Sequence, residues 1–121
     1  PKFLKMLKNG QSPTIYGDGN QSRDFTFVKN NVEANLLACT APDAAGKVFN
    51  IACGESFSLN QLVQILNELL GTNISPTYGP ERSGDVKHSL AAIQKAKEIL
   101  NYQPSIMFKE GLKILVDNFN E

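Results

Sequence analysis

The chain has 121 residues, 41 % of them hydrophobic and 20 % charged, and its 12 Lys and Arg balance 12 Asp and Glu to a formal net charge of zero. That balance excludes a nonspecific nucleic-acid binder, which needs a clustered basic excess, and the composition excludes a disordered chain. No apolar run reaches the ~20 residues that cross a bilayer and no signal-peptide pattern opens the chain, so a single soluble, cytoplasmic domain over residues 1–121 is expected, with no membrane partner.

Residues 2–8 place Phe3, Leu4 and Leu7 on one side and stop at Asn9-Gly10, which predicts the last part of a helix whose beginning lies upstream. Two turns are marginal alone, because helix nucleation is costly. Residues 12–16 form a short β-prone run, and Gly17-Asp18-Gly19-Asn20 supplies turn chemistry. Phe25, Phe27 and Val28 give a brief extended stretch, residues 28 to about 40 suit a helix that Pro42 ends, and residues 47–52 read as a strand closed by Cys53-Gly54.

The clearest element starts at Ser58, where Gln61 three residues on completes a capping-box pattern. Leu59, Leu62, Val63, Leu66, Leu69 and Leu70 follow at helical spacing, and Gly71 stands where a C-terminal cap belongs. Residues 74–78 predict another strand, and a loop over 81–85 leads to Ser89, the expected cap of a helix over 91–100. Ser105 is the expected cap of a last helix carrying Phe108, Leu112, Leu115, Val116 and Phe119, in which Gly111 costs ~1 kcal/mol relative to Ala. The pattern is α/β, with short strands and about four helices.

His88 is the only histidine and no Gly-x-Ser-x-Gly elbow exists, which excludes a Ser-His-Asp hydrolase. Cys39 and Cys53 lack Cys-x-x-Cys spacing, so neither a metal site nor a disulfide framework is indicated. The run from Asp18 to Ser22 starts like a calcium loop, but Arg23 and Lys29 occupy the places of its glycine and bidentate glutamate. No Gly-x-Gly-x-x-Gly follows a strand and no Walker loop is present, so this stretch offers no nucleotide-cofactor cradle. What remains is a pair of arginines, Arg23 and Arg82, each in a short polar loop. A guanidinium there is a planar fork for two phosphate or carboxylate oxygens; the plainer alternative is a surface salt bridge, Arg23 with Asp24 and Arg82 with Asp85.

Several short words occur in one order: Pro1-Lys2-Phe3, Ile15-Tyr16-Gly17-Asp18-Gly19, Gln21-Ser22-Arg23-Asp24-Phe25, Phe49-Asn50-Ile51-Ala52, Gly84-Asp85-Val86-Lys87-His88-Ser89 and Glu110-Gly111-Leu112. This ordered set resembles the C-terminal part of the extended short-chain dehydrogenase/reductase family, in particular the NAD-dependent nucleotide-sugar epimerases of the UDP-glucose 4-epimerase kind. The resemblance implies a substrate-binding segment whose Rossmann domain, with NAD and the catalytic Tyr-x-x-x-Lys pair, is absent from these residues. Four residues after Tyr16, Tyr78 and Tyr102 stand Asn20, Arg82 and Ile106, never Lys.

By the same resemblance, Arg23 and Arg82 grip the diphosphate of a UDP-sugar, and Gln21 hydrogen-bonds ribose or phosphate. Asp85 accepts from a ribose hydroxyl or orients Arg82, Tyr16 and Phe3 line the base pocket, and Lys2 stands at its rim. Two positions depart from the family pattern: Lys29 is expected to remove a carboxylate near the arginine loop, and Ala92 an acid from a helix first turn. The implied parent reaction is C4 inversion of a UDP-sugar. Dehydratases, decarboxylases and reductases of nucleotide sugars share the diphosphate grip, and a noncatalytic module that forms homo-oligomers through an exposed apolar patch is the reading from another class.

Overall fold

The computed structural model describes residues 1–119. Five helices occur among them: α1 (Lys2–Lys8), α2 (Val28–Thr40), α3 (Leu59–Leu70), α4 (Gln94–Leu100) and α5 (Phe108–Asp117). The strands are short and form two separate pairs. β1 (Thr14–Tyr16) runs parallel to β4 (Thr77–Gly79), with Ile15 opposite Tyr78, while β2 (Ser22–Arg23) runs antiparallel to β3 (Phe57–Ser58). The architecture is the expected mixed α/β one, with one helix more than the sequence reading counted.

Two apolar clusters hold these elements. In the first, Leu4 and Leu7 of α1 meet Ile65 and Leu66 of α3 and Phe108 and Leu112 of α5, all buried. Phe108 is its centre: the rings of Phe25 and Phe57 lie against it at 4.9 and 4.4 Å between centroids. Gly111, unfavourable in a helix, is explained here, because a Cβ on it would stand 3.0 Å from Phe27. In the second cluster, Ala34 of α2 packs with Ala96 and Leu100 of α4, Ala52 and Tyr102.

The capping box of α3 forms as expected. The Gln61 N–H donates to Ser58 Oγ at 3.1 Å, the Ser58 N–H donates to Gln61 Oε1 at 2.8 Å, and Gly71 closes the helix in the left-handed conformation at φ 66°. Other terminal assignments need correction. α4 begins at Gln94 rather than near Ala91, with Ile93 and not Ser89 at its N-cap; Ser89 is held beside β2, its N–H donated to the Ser22 carbonyl at 3.1 Å. Ala92 therefore precedes the helix and removes nothing from its first turn. Ser105 does not cap α5, whose N-cap is Met107; its hydroxyl donates to Glu33 Oε2 at 2.6 Å.

The expected strand over 47–52 is also absent. Its β-prone residues find no ladder partner among the described residues, and side chains hold the segment instead. Lys95 Nζ donates to the Val48 carbonyl and the Tyr102 hydroxyl to the Ala52 carbonyl, both at 2.8 Å. Val48 is 81 % exposed, and Val28, Val32 and Leu36, four residues apart on α2, are each more than half exposed. Among the described residues, no helix is long and apolar enough to cross a membrane.

Asn30, buried completely at the start of α2, ties that helix to the segment before α5. Its Oδ1 accepts from the N–H groups of Ser105 and Ile106 at 3.0 and 3.1 Å, and its Nδ2 donates to the Ile106 carbonyl at 2.7 Å. Substituting Asn30→Ala strands these backbone groups away from water, at about 1–3 kcal/mol for each one left unpaired. Urea unfolding should therefore show a loss of about 3 kcal/mol, and a loss below about 1 kcal/mol would mean that the groups find other partners.

Tyr102, also fully buried, carries a pH signature. Burial, reinforced by the negative charge of Cys53, Asp24 and Glu33, pushes its phenol from 10.0 up to about 12. The folded chain therefore keeps a proton that the unfolded chain loses, so this contribution is complete below pH 10 and is lost as pH climbs towards 12. The variant Tyr102→Phe is expected to lose less stability over that pH interval than the parent, read by denaturant unfolding at each pH.

Candidate functional site

The site is built where β1, the turn after it, β2 and the loop after β4 come together. Gly17 and Gly19 take φ of 100° and 77°, which turns the chain sharply between the strands. Gly19 also leaves room for the Asn60 amide, which a Cβ there would displace. Asn60 in turn staples the turn to α3, donating Nδ2 to the Asp18 carbonyl at 3.1 Å and accepting the Tyr78 hydroxyl at 2.9 Å. Asp18 closes the turn on itself. The Asn20 N–H donates to its Oδ1 at 2.9 Å, and that bond, with the Asn20 side chain, holds the Asp18 carboxyl below its usual range.

On this frame the two arginines take different partners from those their sequence neighbours suggest. Arg23 Nη2 meets Asp85 Oδ1 at 2.6 Å, and its Nη1 donates to the Ser22 carbonyl at 2.8 Å. Asp24, one residue on, faces away and accepts the N–H groups of Cys53 and Gly54 at 3.0 and 2.9 Å. Arg82 lies over the Tyr16 ring, 4.0 Å from its centroid. The salt bridges Arg23 to Asp24 and Arg82 to Asp85 are thus both replaced, and Asp85 holds Arg23 rather than orienting Arg82. Lys29 stands 3.6 Å from Glu33 on α2, so its place is on that helix face and not in the arginine loop.

Gln21 Nε2 donates to the Tyr16 carbonyl at 2.7 Å, which fixes the amide beside the aromatic ring. Six of the seven candidate residues, Lys2, Phe3, Tyr16, Gln21, Arg82 and Asp85, line one cleft of about 210 Å³. The seventh, Arg23, joins it through Asp85. Tyr16, Gln21, Arg82 and Asp85 also face a neighbouring cleft of about 150 Å³, together with Lys87 and His88. Phe3 is shared, since it also packs against the α1–α3–α5 cluster. Among the described residues, no three His, Cys, Asp or Glu side chains gather as a metal site.

The sequence reading gives three participants no role. Ser22 Oγ lies 2.9 Å from His88 Nδ1, and Asn60 braces the glycine turn; each pairing spans dozens of residues, so no local signal marks it. The arrangement sets one guanidinium on an aromatic platform and a second on a carboxylate beside a glycine turn, on an α/β scaffold.

Comparison with known proteins agrees with the α/β fold and gives its family. The family model described as GDP-mannose 4,6 dehydratase matches residues 1–115. The chain belongs to this family of extended short-chain dehydrogenases/reductases, and it matches the C-terminal part of their epimerases. It is 34 % identical over 117 residues to a UDP-glucuronate 4-epimerase of Thermodesulfobacterium geofontis, covering 96 % of this chain and 36 % of that protein. The crystal structure of UDP-glucose 4-epimerase with UDP-glucose from Thermotoga maritima superposes with a TM-score of 0.90 at 40 % identity, over 96 % of this chain and 37 % of the other. UDP-glucuronic acid decarboxylase 1 of Arabidopsis thaliana is 34 % identical over 106 residues, 88 % of this chain and 24 % of that protein. The chain thus spans little more than a third of the length of the epimerases it matches.

The Arg23–Asp85 pair is partly exposed, with side chains 28 % and 43 % accessible, so it contributes to geometry more than to stability. Asp85→Ala should change unfolding free energy by less than about 1 kcal/mol in a urea titration. A loss above about 2 kcal/mol would mean that the pair is a structural tie of the loop and not an exchangeable partner of Arg23.

Proposed function

We propose that this chain is the substrate-binding part of an NAD-dependent enzyme of UDP-sugars and that Arg23 and Arg82 hold the diphosphate. The observation that carries the reading is that residues far apart in sequence meet at one cleft: Arg82 on Tyr16, and Arg23 on Asp85. Both guanidinium groups are preset, one by a ring and one by a carboxylate, so little side-chain freedom remains to be lost on binding. A diphosphate oxygen replaces the Asp85 carboxylate at Arg23, and the released carboxylate accepts from a ribose hydroxyl. Gln21 adds a hydrogen bond to ribose or phosphate, Tyr16 and Phe3 line the base pocket, and Lys2 stands at the rim.

The residues of this chain do not fit NAD. Gly17 and Gly19 lead into the two-residue β2 rather than into a helix N-terminus, so they form no dinucleotide turn, and no tyrosine is followed by the spaced lysine. We assign NAD binding and proton transfer to a part of the polypeptide beyond residues 1–121, and the exposed α2 face of Val28, Val32 and Leu36 to contact with that part. The reaction we favour is C4 inversion, for which the substrate domain holds the nucleotide and leaves the sugar free to turn. Decarboxylation is the second reading, favoured by the likeness to a UDP-glucuronic acid decarboxylase. Self-association through the same apolar face, without catalysis, is tested by gel filtration, where a monomer counts against it.

Titrating UDP into the isotope-labelled chain should shift amide signals around Arg23 and Arg82. Arg82→Ala should weaken binding about tenfold or more, as expected for loss of a charge-assisted contact. No shift at millimolar UDP would overturn the reading.

A further inference from the structure

We propose that His88 is a positioning residue of the arginine site: through the Ser22 hydroxyl it clasps the loop that carries Arg82 and Asp85 onto β2, beside Arg23. The inference rests on the reading of the cleft as a diphosphate site.

Residues 81–90 contain no helix or strand and all are exposed, including Val86 and Leu90, so burial of apolar surface does not hold this loop in place. Hydrogen bonds at its two ends do. At the front, the Gly17 N–H donates to the Gly79 carbonyl at 3.0 Å, next to the β1–β4 pair. At the back, the Ser22 N–H donates to the Lys87 carbonyl at 2.8 Å and the Ser89 N–H to the Ser22 carbonyl at 3.1 Å, an isolated parallel bridge that sets His88 against Ser22.

Two side-chain to side-chain ties join the loop to β2 among the described residues: Arg23 to Asp85, and Ser22 Oγ to His88 Nδ1 at 2.9 Å. The first is the tie that a diphosphate takes over when it binds Arg23. The second does not involve an arginine, so it keeps the loop seated while the first is exchanged. A hydroxyl both donates and accepts, so Ser22 can bond His88 whether Nδ1 carries a proton or not. Ser22 is also the chain neighbour of Arg23, and the Lys87 carbonyl accepts weakly from Arg23 Nη1 at 3.4 Å, so displacement of His88 is transmitted to the guanidinium.

The test uses the 121-residue chain with four variants: His88→Ala, Ser22→Ala, the double variant, and His88→Asn, whose amide stands near the position of imidazole Nδ1. Amide hydrogen exchange at Ser22 and Ser89 is measured without ligand, and UDP affinity by titration. His88→Ala and Ser22→Ala should each speed exchange at both amides and weaken UDP binding about three- to tenfold, the range of one hydrogen bond. The double variant should be no worse than either single one, and His88→Asn should restore both readouts to within about twofold. Unchanged exchange and affinity in His88→Ala, or additive losses in the double variant, would overturn the clasp. If the parent chain binds no UDP, the diphosphate reading fails, and the exchange data alone then decide whether the clasp exists.

Discussion

The direction of Arg23 depends on Asp24. In an extended segment successive side chains point to opposite faces, so when the Asp24 carboxylate takes the N–H groups of Cys53 and Gly54, Arg23 is turned the other way, towards Asp85. A carboxylate receiving two backbone donors is a strong, directional tie, and it joins the two-residue β2 to the loop before β3. The flanking residues extend the same constraint. Phe25 inserts against Phe108, and Asn30 fixes the start of α2 to residues 105–106, so the dipeptide Arg23-Asp24 is anchored from both chain directions. A cleft of exposed polar side chains thereby rests on buried contacts.

What the sequence made legible was what is settled locally. The α3 helix carries its own start and stop, since Ser58, Gln61 and Gly71 are all within the element they delimit. Ser89 and Ser105 carry the same kind of signal and were misleading, because groups distant in sequence compete for them: Ser22 for the backbone of Ser89, Asn30 and Glu33 for Ser105. Residues 47–52 show the corresponding limit for strands. A β-prone run becomes a strand only when a ladder partner lies beside it, and this chain provides none among the described residues.

The candidate site divides in the same way. The ordered words single out residues that come together in space, six of the seven lining one cleft. Which residues pair was not readable from them, because Arg23 passes over the adjacent Asp24 for the distant Asp85, while Arg82 lies on the Tyr16 ring and not on the nearby Asp85. Adjacent opposite charges in a sequence are a weak guide to an ion pair when one of the carboxylates has two backbone donors available. Asp24 has them in Cys53 and Gly54, and that leaves Asp85 as the acid for Arg23.

Charge at the cleft is balanced, as it is over the whole chain. Arg23 is met by Asp85, and Lys87 lies 4.0 Å from Glu81, which leaves Arg82 on the Tyr16 ring as the guanidinium with no acid in salt-bridge contact among the described residues. On the proposed reading, a dianionic diphosphate would meet no broad positive field drawing it in from a distance. What favours it is short-range: a planar fork already turned to the cleft, a second fork held by a carboxylate that can be displaced, and backbone turns that keep both in place. Removing the carboxylate would raise the local positive charge but would also release Arg23 from its orientation. Asp85 thus both keeps Arg23 oriented and must be displaced before an anion takes its place.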